Sequence, residues 1–354
     1  MQSSALGSGI GSVGGSTKLF GATNYTFGFA GSPLFIEPAG LQALDFSAFL
    51  EWVTEHRFDL DALLLRHGGL IFRRSPVGTS ADFSQLAERL GPYAGDYSGG
   101  ASARSKIVGN VMEATRLAKE IKIPLHQEMC YLRDYPSRIA FYCVTPAAKG
   151  GETIIADMRR FSKELPEAIR RKLESLGISV VRNFSAPAGD GRELAEDHPD
   201  QRSWKFAFYT DTREAVEATC ASKGMQAIWN RDGSLTVRNT FAAFTPHPVT
   251  GEIIYRNSAH VDPGAGFSAD IPEARRRQVE AMLARQALRT GYYFGDGSPI
   301  SPSESAQLRA LFDKLERSWT WQTGDIMLLD NLLAAHGRNS FEGAFRDVQV
   351  ALLS

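Results

Sequence analysis

Between Asp45 and Arg74 the apolar positions of "DFSAFLEWVTEHRFDLDALLLRHGGLIFRR" recur with helical spacing for two thirds of the stretch. They then pass through Gly68-Gly69 into a short apolar run, Leu70 to Phe72, that predicts a strand. "SADFSQLAERLG" opens on capping residues and predicts a helix stopped by Gly91. A loop rich in small residues follows. "IPLHQEMCY" and "SRIAFYCVTPA" are predicted strands, the second bounded by Pro136 and Pro146. After "GGETIIADMRRF" a helix is expected from about Ser162 to Leu176. The runs "ISVVRNF", "SWKFAFYT", "SLTVRNTFAAF" and "EIIYRN" have strand character, interrupted by a helix in "DTREAVEATCASKG". "IPEARRRQVEAMLARQALRTG" predicts an amphipathic helix with Gly291 as its stop. The chain closes with the strand-like runs "WTWQTGDIMLLDN", "AAHGRN" and "FRDVQVALLS". Many short strands with helices between them predict a mostly β fold with added helices, a jelly roll whose double sheet encloses a cavity.

Composition narrows this picture. Apolar residues make up 43% of 354, ample for a core, and the formal net charge of −1 argues against nucleic acid and anionic membrane surfaces as partners. No apolar run reaches the roughly 20 residues that span a bilayer. Cys130, Cys143 and Cys220 are too few and too scattered for a disulfide framework or a paired-cysteine zinc site, and they suit a cytoplasmic location. Residues 1–22, Gly/Ser-rich and without a basic start, are expected to form a flexible tail. Residues 23–354 are expected to form one domain, with helical insertions at about 162–230 and 271–317.

Candidate chemistry concentrates in "HQE". On an extended strand, His126 and Glu128 point to the same side. Such a pair is either a buried hydrogen-bonded couple or two thirds of a metal site. Among the seven histidines, His336 stands out as the third ligand, because it follows a buried strand and precedes a turn. His247, ahead of a proline and a turn, is expected to be structural; His198 lies in a polar loop, and His260 follows a strand. Two imidazoles and one carboxylate on one face match the facial triad of non-haem iron oxygenases. In "FRDVQVALLS", alternation places Arg346 on the inward face with Val348, Val350 and Leu352. An inward arginine needs a carboxylate or phosphate partner, internal or supplied by a ligand, and its planar fork suits a carboxylate. Thr153 of "GGET" offers a hydroxyl for the same group.

Taken together, "HQE", "GGETIIAD", "HPVTGEIIYRN", "YFGDGSPI" and "DNLLAAHGRNSFEGAFR" resemble the taurine dioxygenase/clavaminate synthase-like superfamily, over roughly residues 35–354. Their order is most similar to the branch of syringomycin-type amino-acid hydroxylases. The resemblance implies a double-stranded β-helix fold and an oxygenase dependent on Fe(II), 2-oxoglutarate and O2, with ascorbate as an activator in vitro. It implies His126, Glu128 and His336 as iron ligands. It implies Thr153 and Arg346 as holders of the far carboxylate of 2-oxoglutarate, with Arg338 assisting the cosubstrate or binding substrate. A glutamate ligand suits the clavaminate-type branch, and with that position filled, hydroxylation or desaturation is expected rather than halogenation. The substrate implied is an amino acid or an amino-acid-derived group, free or tethered to a carrier protein. Asn110, Trp204, Phe208, Arg238 and Asn257 are candidates to line its site, each with an alternative role in the core or at a strand edge. Two other functions fit parts of this pattern: a non-catalytic scaffold that binds a small acid, and a zinc hydrolase. Neither a zinc hydrolase nor its water nucleophile requires Arg346.

Overall fold

The structure is a computed structural model that describes residues 25–26, 33–38, 44–95, 105–114, 117–187, 203–260, 272–287 and 290–354. The expected tail, 1–22, and His198 lie outside these residues. The larger of two facing sheets has eight strands, numbered in chain order: β1 (Tyr25–Thr26), β2 (Leu34–Pro38), β3 (Gly69–Phe72), β17 (Ile326–Asp330), β7 (Arg138–Thr145), β20 (Asp347–Leu353), β5 (Val111–Glu113) and β4 (Lys106–Val108), side by side in that order. The smaller runs β16 (Arg317–Ser318), β9 (Thr153–Asp157), β18 (Ala334–Arg338), β6 (Ile123–His126). Except for β2 and β3, which run parallel, the pairs in both sheets are antiparallel. This is the jelly-roll core expected from the strand pattern.

A third sheet, β11 (Gln226–Trp229), β12 (Leu235–Phe241), β10 (Ile178–Phe184) and β15 (Thr290–Phe294), packs against the end of the sandwich. Two short antiparallel pairs accompany these sheets: β13 (Phe244–Pro246) with β14 (Ile253–Tyr255), and β8 (Lys149–Gly150) with β19 (Phe341–Glu342), far apart in the chain. The helices are α1 (Phe46–Glu55), α2 (Arg57–His67), α3 (Ser80–Leu90), α4 (Met158–Glu164), α5 (Glu167–Leu176), α6 (Trp204–Phe208), α7 (Arg213–Ser222), α8 (Glu273–Ala287) and α9 (Pro302–Leu315). The stretches 162–230 and 271–317 thus supply most of the later helices, together with strands β10, β11 and β15.

The core has layers. Met327, Leu329, Phe141, Val348 and Val350 from the large sheet meet Ile155 and Ala334 from the small one. The opposite face of the large sheet, with Leu328, Ala351 and Leu353, is covered by α1–α3 through Phe49, Leu64 and Phe83. The outer face of the small sheet, with Ile154 and Ala335, is covered by α4, α5 and α9. Period-two alternation along β20 sends successive residues into different layers, which is the physical content of the pattern read in "VQVALL".

Three local expectations are corrected. "SWKFAFYT" is a helix, not a strand: Ser203 Oγ accepts the Phe206 amide as an N-cap, and the buried Trp204 and Phe208 are one helical turn apart. Gly291 does not stop α8; it lies within β15, opposite Val181. The single helix expected at 162–176 is two, α4 and α5, divided where Pro166 cannot donate an amide hydrogen bond. Among the described residues, no helix is long and apolar enough to cross a membrane. The three cysteines are buried and free.

Candidate metal centre

His126 ends β6 and His336 is the middle residue of β18; the two are directly opposed in the antiparallel register. Their rings lie 4.5 Å apart between centroids. Such close approach of the strands depends on Gly337, where a Cβ would come within 2.4 Å of the Ile123 carbonyl oxygen. His126 Nδ1 lies 2.9 Å from the carbonyl oxygen of Pro124. A carbonyl can only accept, so Nδ1 carries the proton and Nε2 keeps a lone pair for a ligand.

Glu128 reaches the same point by a different route from the one its spacing suggests. β6 stops at His126, and Glu128 lies in the following turn. Met129, next in the chain and buried, has φ of 54°, in the left-handed region that costs a residue with a Cβ about 1–3 kcal/mol. The Glu128 carboxylate is buried, with Oε2 at 3.9 Å from His336 Nε2. One donor atom from each of His126, Glu128 and His336 lies within 4.8 Å of the others. Its chemistry is the two-histidine, one-carboxylate combination suited to iron with open positions. The residues present fit the metal.

A cavity beside the triad is lined by His126, His336, Thr153, Arg338 and Arg346, with Phe141 and Val348 as apolar wall. Thr153 opens β9 and is buried; its Oγ accepts a hydrogen bond from Trp321 Nε1 at 3.1 Å, which leaves its own proton to donate. Arg346 precedes β20 and is partly buried. Its Nε donates to the Gly151 carbonyl at 2.9 Å. Gly151 has φ of 69°, and a Cβ there would sit 3.1 Å from Arg346 Cδ, so the second glycine of "GGET" makes room for the arginine. Burial pushes the Arg346 pKa down to about 10, so it stays a cation near neutrality. Among the described residues, no carboxylate forms an ion pair with it. Arg338 is also pushed down to about 10, by burial and then by the Arg346 charge. Its Nη atoms are engaged: they donate to the carbonyls of Leu117, Ala118 and Ile121 at 2.8–3.2 Å, pinning that segment beside the cavity.

The five residues suggested for the substrate site are not brought together at the triad. Asn110 sits at the tip of the β4–β5 turn, its Oδ1 accepting from Ser84 Oγ at 3.4 Å. Trp204 and Phe208 pack in the core, edge-on to Trp229 and Phe184. Arg238 is exposed on β12. Asn257 is buried and satisfied locally, donating to the Ala243 carbonyl and accepting the Ala259 amide. His247 is structural as expected, its Nε2 paired with buried Asp330 at 3.0 Å while Nδ1 accepts the Val249 and Thr250 amides. Trp321 and Asn331 support the site and were not singled out from sequence. Both stand in runs read as strand and turn, and nothing local distinguishes them from ordinary core and turn residues.

The sequence profile described as "Taurine catabolism dioxygenase TauD, TfdA family" matches residues 31–352. The dapdiamide synthesis protein DdaC of Enterobacter agglomerans is 30% identical over 303 residues, covering 86% of each chain. A clavaminate synthase-like protein of Arabidopsis thaliana is 29% identical over 307 residues, 85% of this chain and 86% of that one. Among solved structures, a taurine dioxygenase from Burkholderia xenovorans aligns with a TM-score of 0.46 at 14% identity, over 94% of this chain and 89% of that one. PvcB of Pseudomonas aeruginosa aligns equally well, at 14% identity over 93% and 90%. The match along nearly the whole chain, and the His-Glu-His cluster inside it, lead to one conclusion: the chain belongs to the TauD/TfdA family and is an Fe(II)- and 2-oxoglutarate-dependent dioxygenase.

Proposed function

We propose that this dioxygenase oxidises an unactivated C–H bond of an amino acid or amino-acid-derived small molecule, by hydroxylation, desaturation or ring closure, in specialised metabolism. In this reading His126, Glu128 and His336 hold the iron, and Arg346 with Thr153 holds the distal carboxylate of 2-oxoglutarate. The observation that carries it is Arg346: a cation beside the triad, without a carboxylate ion pair among the described residues, opening into the cavity that both histidines line. Iron and 2-oxoglutarate supply the oxidising chemistry; for hydroxylation, one oxygen atom of O2 goes to succinate and the other to the product, with release of CO2.

The remaining work belongs to the chain. Arg346 keeps two Nη groups for a planar carboxylate once its Nε is committed to Gly151. Trp321 turns the Thr153 hydroxyl into a donor towards the same group. Phe141 and Val348 keep water from the apolar middle of a five-carbon keto diacid. The substrate class is supported by the likeness to DdaC, whose name places that protein in dapdiamide synthesis.

A succinate-release screen tests the proposal, using free amino acids, small peptides and carrier-bound aminoacyl thioesters, with mass analysis of each product. Succinate formed in step with a substrate that gains one oxygen or loses two hydrogens is expected. If turnover required taurine-like sulfonates or aryloxy acids and ignored every amino-acid-derived substrate, the substrate class would be wrong.

A further inference from the structure

We propose that Asn331 is a positioning residue for the metal, acting through Glu128. The inference rests on Glu128 being a ligand. Two residues along a strand are about 6.6 Å apart, too far for His126 and Glu128 to share an ion unless their side chains lean together. The chain avoids this by leaving β6 at His126 and turning, with Met129 in the left-handed region. A turn of that kind, at a residue with a Cβ, persists only when its surroundings hold it.

Asn331 supplies the hold. Its Oδ1 accepts the Glu128 amide at 2.8 Å, and its Nδ2 donates to the Glu128 carbonyl at 2.9 Å and to the Pro136 carbonyl at 2.8 Å. One side-chain amide thus grips both backbone groups of the ligand residue, as a neighbouring strand would, and ties them to the far side of the 127–137 turn. Gln127 docks on the same loop, its Nε2 donating to the Leu332 carbonyl at 2.9 Å.

Asn331 is itself fixed. It is buried, its amide donates to the Ser137 carbonyl, and its neighbour Asp330 accepts the Leu332 and Leu333 amides through one oxygen. It lies in the short turn that joins β17 to β18, and β18 carries His336. The position of Glu128 is therefore set from the same turn that leads into the strand carrying His336. Only an amide serves: an aspartate of the same size could accept from Glu128 but would face two carbonyl oxygens with no hydrogen to donate.

The test measures Co(II) affinity, as an oxidation-stable stand-in for the ferrous ion, by equilibrium dialysis of the full chain. Four proteins are compared: the unaltered chain, Asn331→Asp, Glu128→Ala, and both together. Asn331→Asp is expected to weaken binding about 10- to 100-fold, the usual effect of losing a group that orients a metal ligand. In the Glu128→Ala background the same change is expected to shift affinity by less than about twofold, the ordinary scatter of independent sites. Equal losses in both backgrounds would mean that Asn331 supports the fold generally, and the inference fails. Unchanged affinity in Asn331→Asp, with a clear loss in Glu128→Ala, also overturns it while leaving the ligand assignment intact. Unchanged affinity in Glu128→Ala overturns the ligand assignment itself. If the aspartate variant does not fold, Asn331→Ala gives the same comparison without an added charge.

Discussion

Replacing Arg346 by alanine separates cosubstrate binding from metal binding. The guanidinium has one hydrogen bond to the chain, from Nε to Gly151, and no carboxylate ion pair among the described residues. It is a cation near neutral pH because burial lowers its pKa only to about 10. Truncating one partner of a desolvated, hydrogen-bonded charge pair costs about 2–5 kcal/mol. At 1.4 kcal/mol per tenfold, that is roughly 30- to 4,000-fold in the Kd for 2-oxoglutarate. The metal ligands sit on β6, β18 and the turn after β6, whereas Arg346 precedes β20 in the opposite sheet. Metal affinity is therefore expected to be unchanged. Arg346→Lys keeps the charge but loses the planar fork, so it should fall between the two. Calorimetric titration of 2-oxoglutarate into Co(II)-loaded protein, beside a separate metal titration, reads both quantities. Parallel losses of metal and cosubstrate affinity, or unaltered 2-oxoglutarate binding, would refute the role given to Arg346.

Three further outcomes are expected. Gly337→Ala would force a Cβ against the Ile123 and Pro124 backbone, at 2.4–3.0 Å; it should cost about 1–3 kcal/mol as overpacking and weaken metal binding by spreading His126 from His336, both visible in denaturation and metal titrations. His260, buried and bonded to the Leu125 carbonyl, has its pKa pushed from 6.5 to about 3 by burial. The unfolded chain then binds the extra proton, so this residue's contribution to stability is complete above pH 6.5 and is lost as pH falls towards 3, at up to about 1.4 kcal/mol per unit. His260→Gln should flatten the acid side of the Tm–pH curve. Arg73→Ala would remove the cation paired with the fully buried Asp325 at 3.0 Å, leaving its charge uncompensated by an ion pair; a loss of about 3–5 kcal/mol should appear as a lower urea midpoint at unchanged slope.

How far each feature could be read from the chain depends on the range of the forces that make it. Val348, Val350 and Leu352 face one core layer and Ala351 and Leu353 another, as their alternation requires. The helix ending at Gly91 begins with a capping box between Thr79 and Asp82, a purely local device. In "SWKFAFYT" the aromatic content suggests a strand, but the Ser203 cap and the i, i+4 pair of Trp204 and Phe208 are equally local signals and favour the helix that forms. Pro166 divides α4 from α5 locally, through its missing amide hydrogen, whereas no proline or glycine marks the break between α1 and α2 at His56.

The sequence by itself determined which side chains were available and in what local setting: a histidine and a carboxylate two residues apart in one strand-like run, a second histidine between a buried strand and a turn, and an arginine in phase with inward valines. Neighbours in the chain settle such features, since strand phase and capping act over a few residues. The tertiary structure alone decided that Glu128 leaves the strand, that Met129 adopts a costly conformation, and that an asparagine some two hundred positions away holds them there. The hydrogen bonds that hold this turn come from a residue distant in the chain, so no local pattern could carry it.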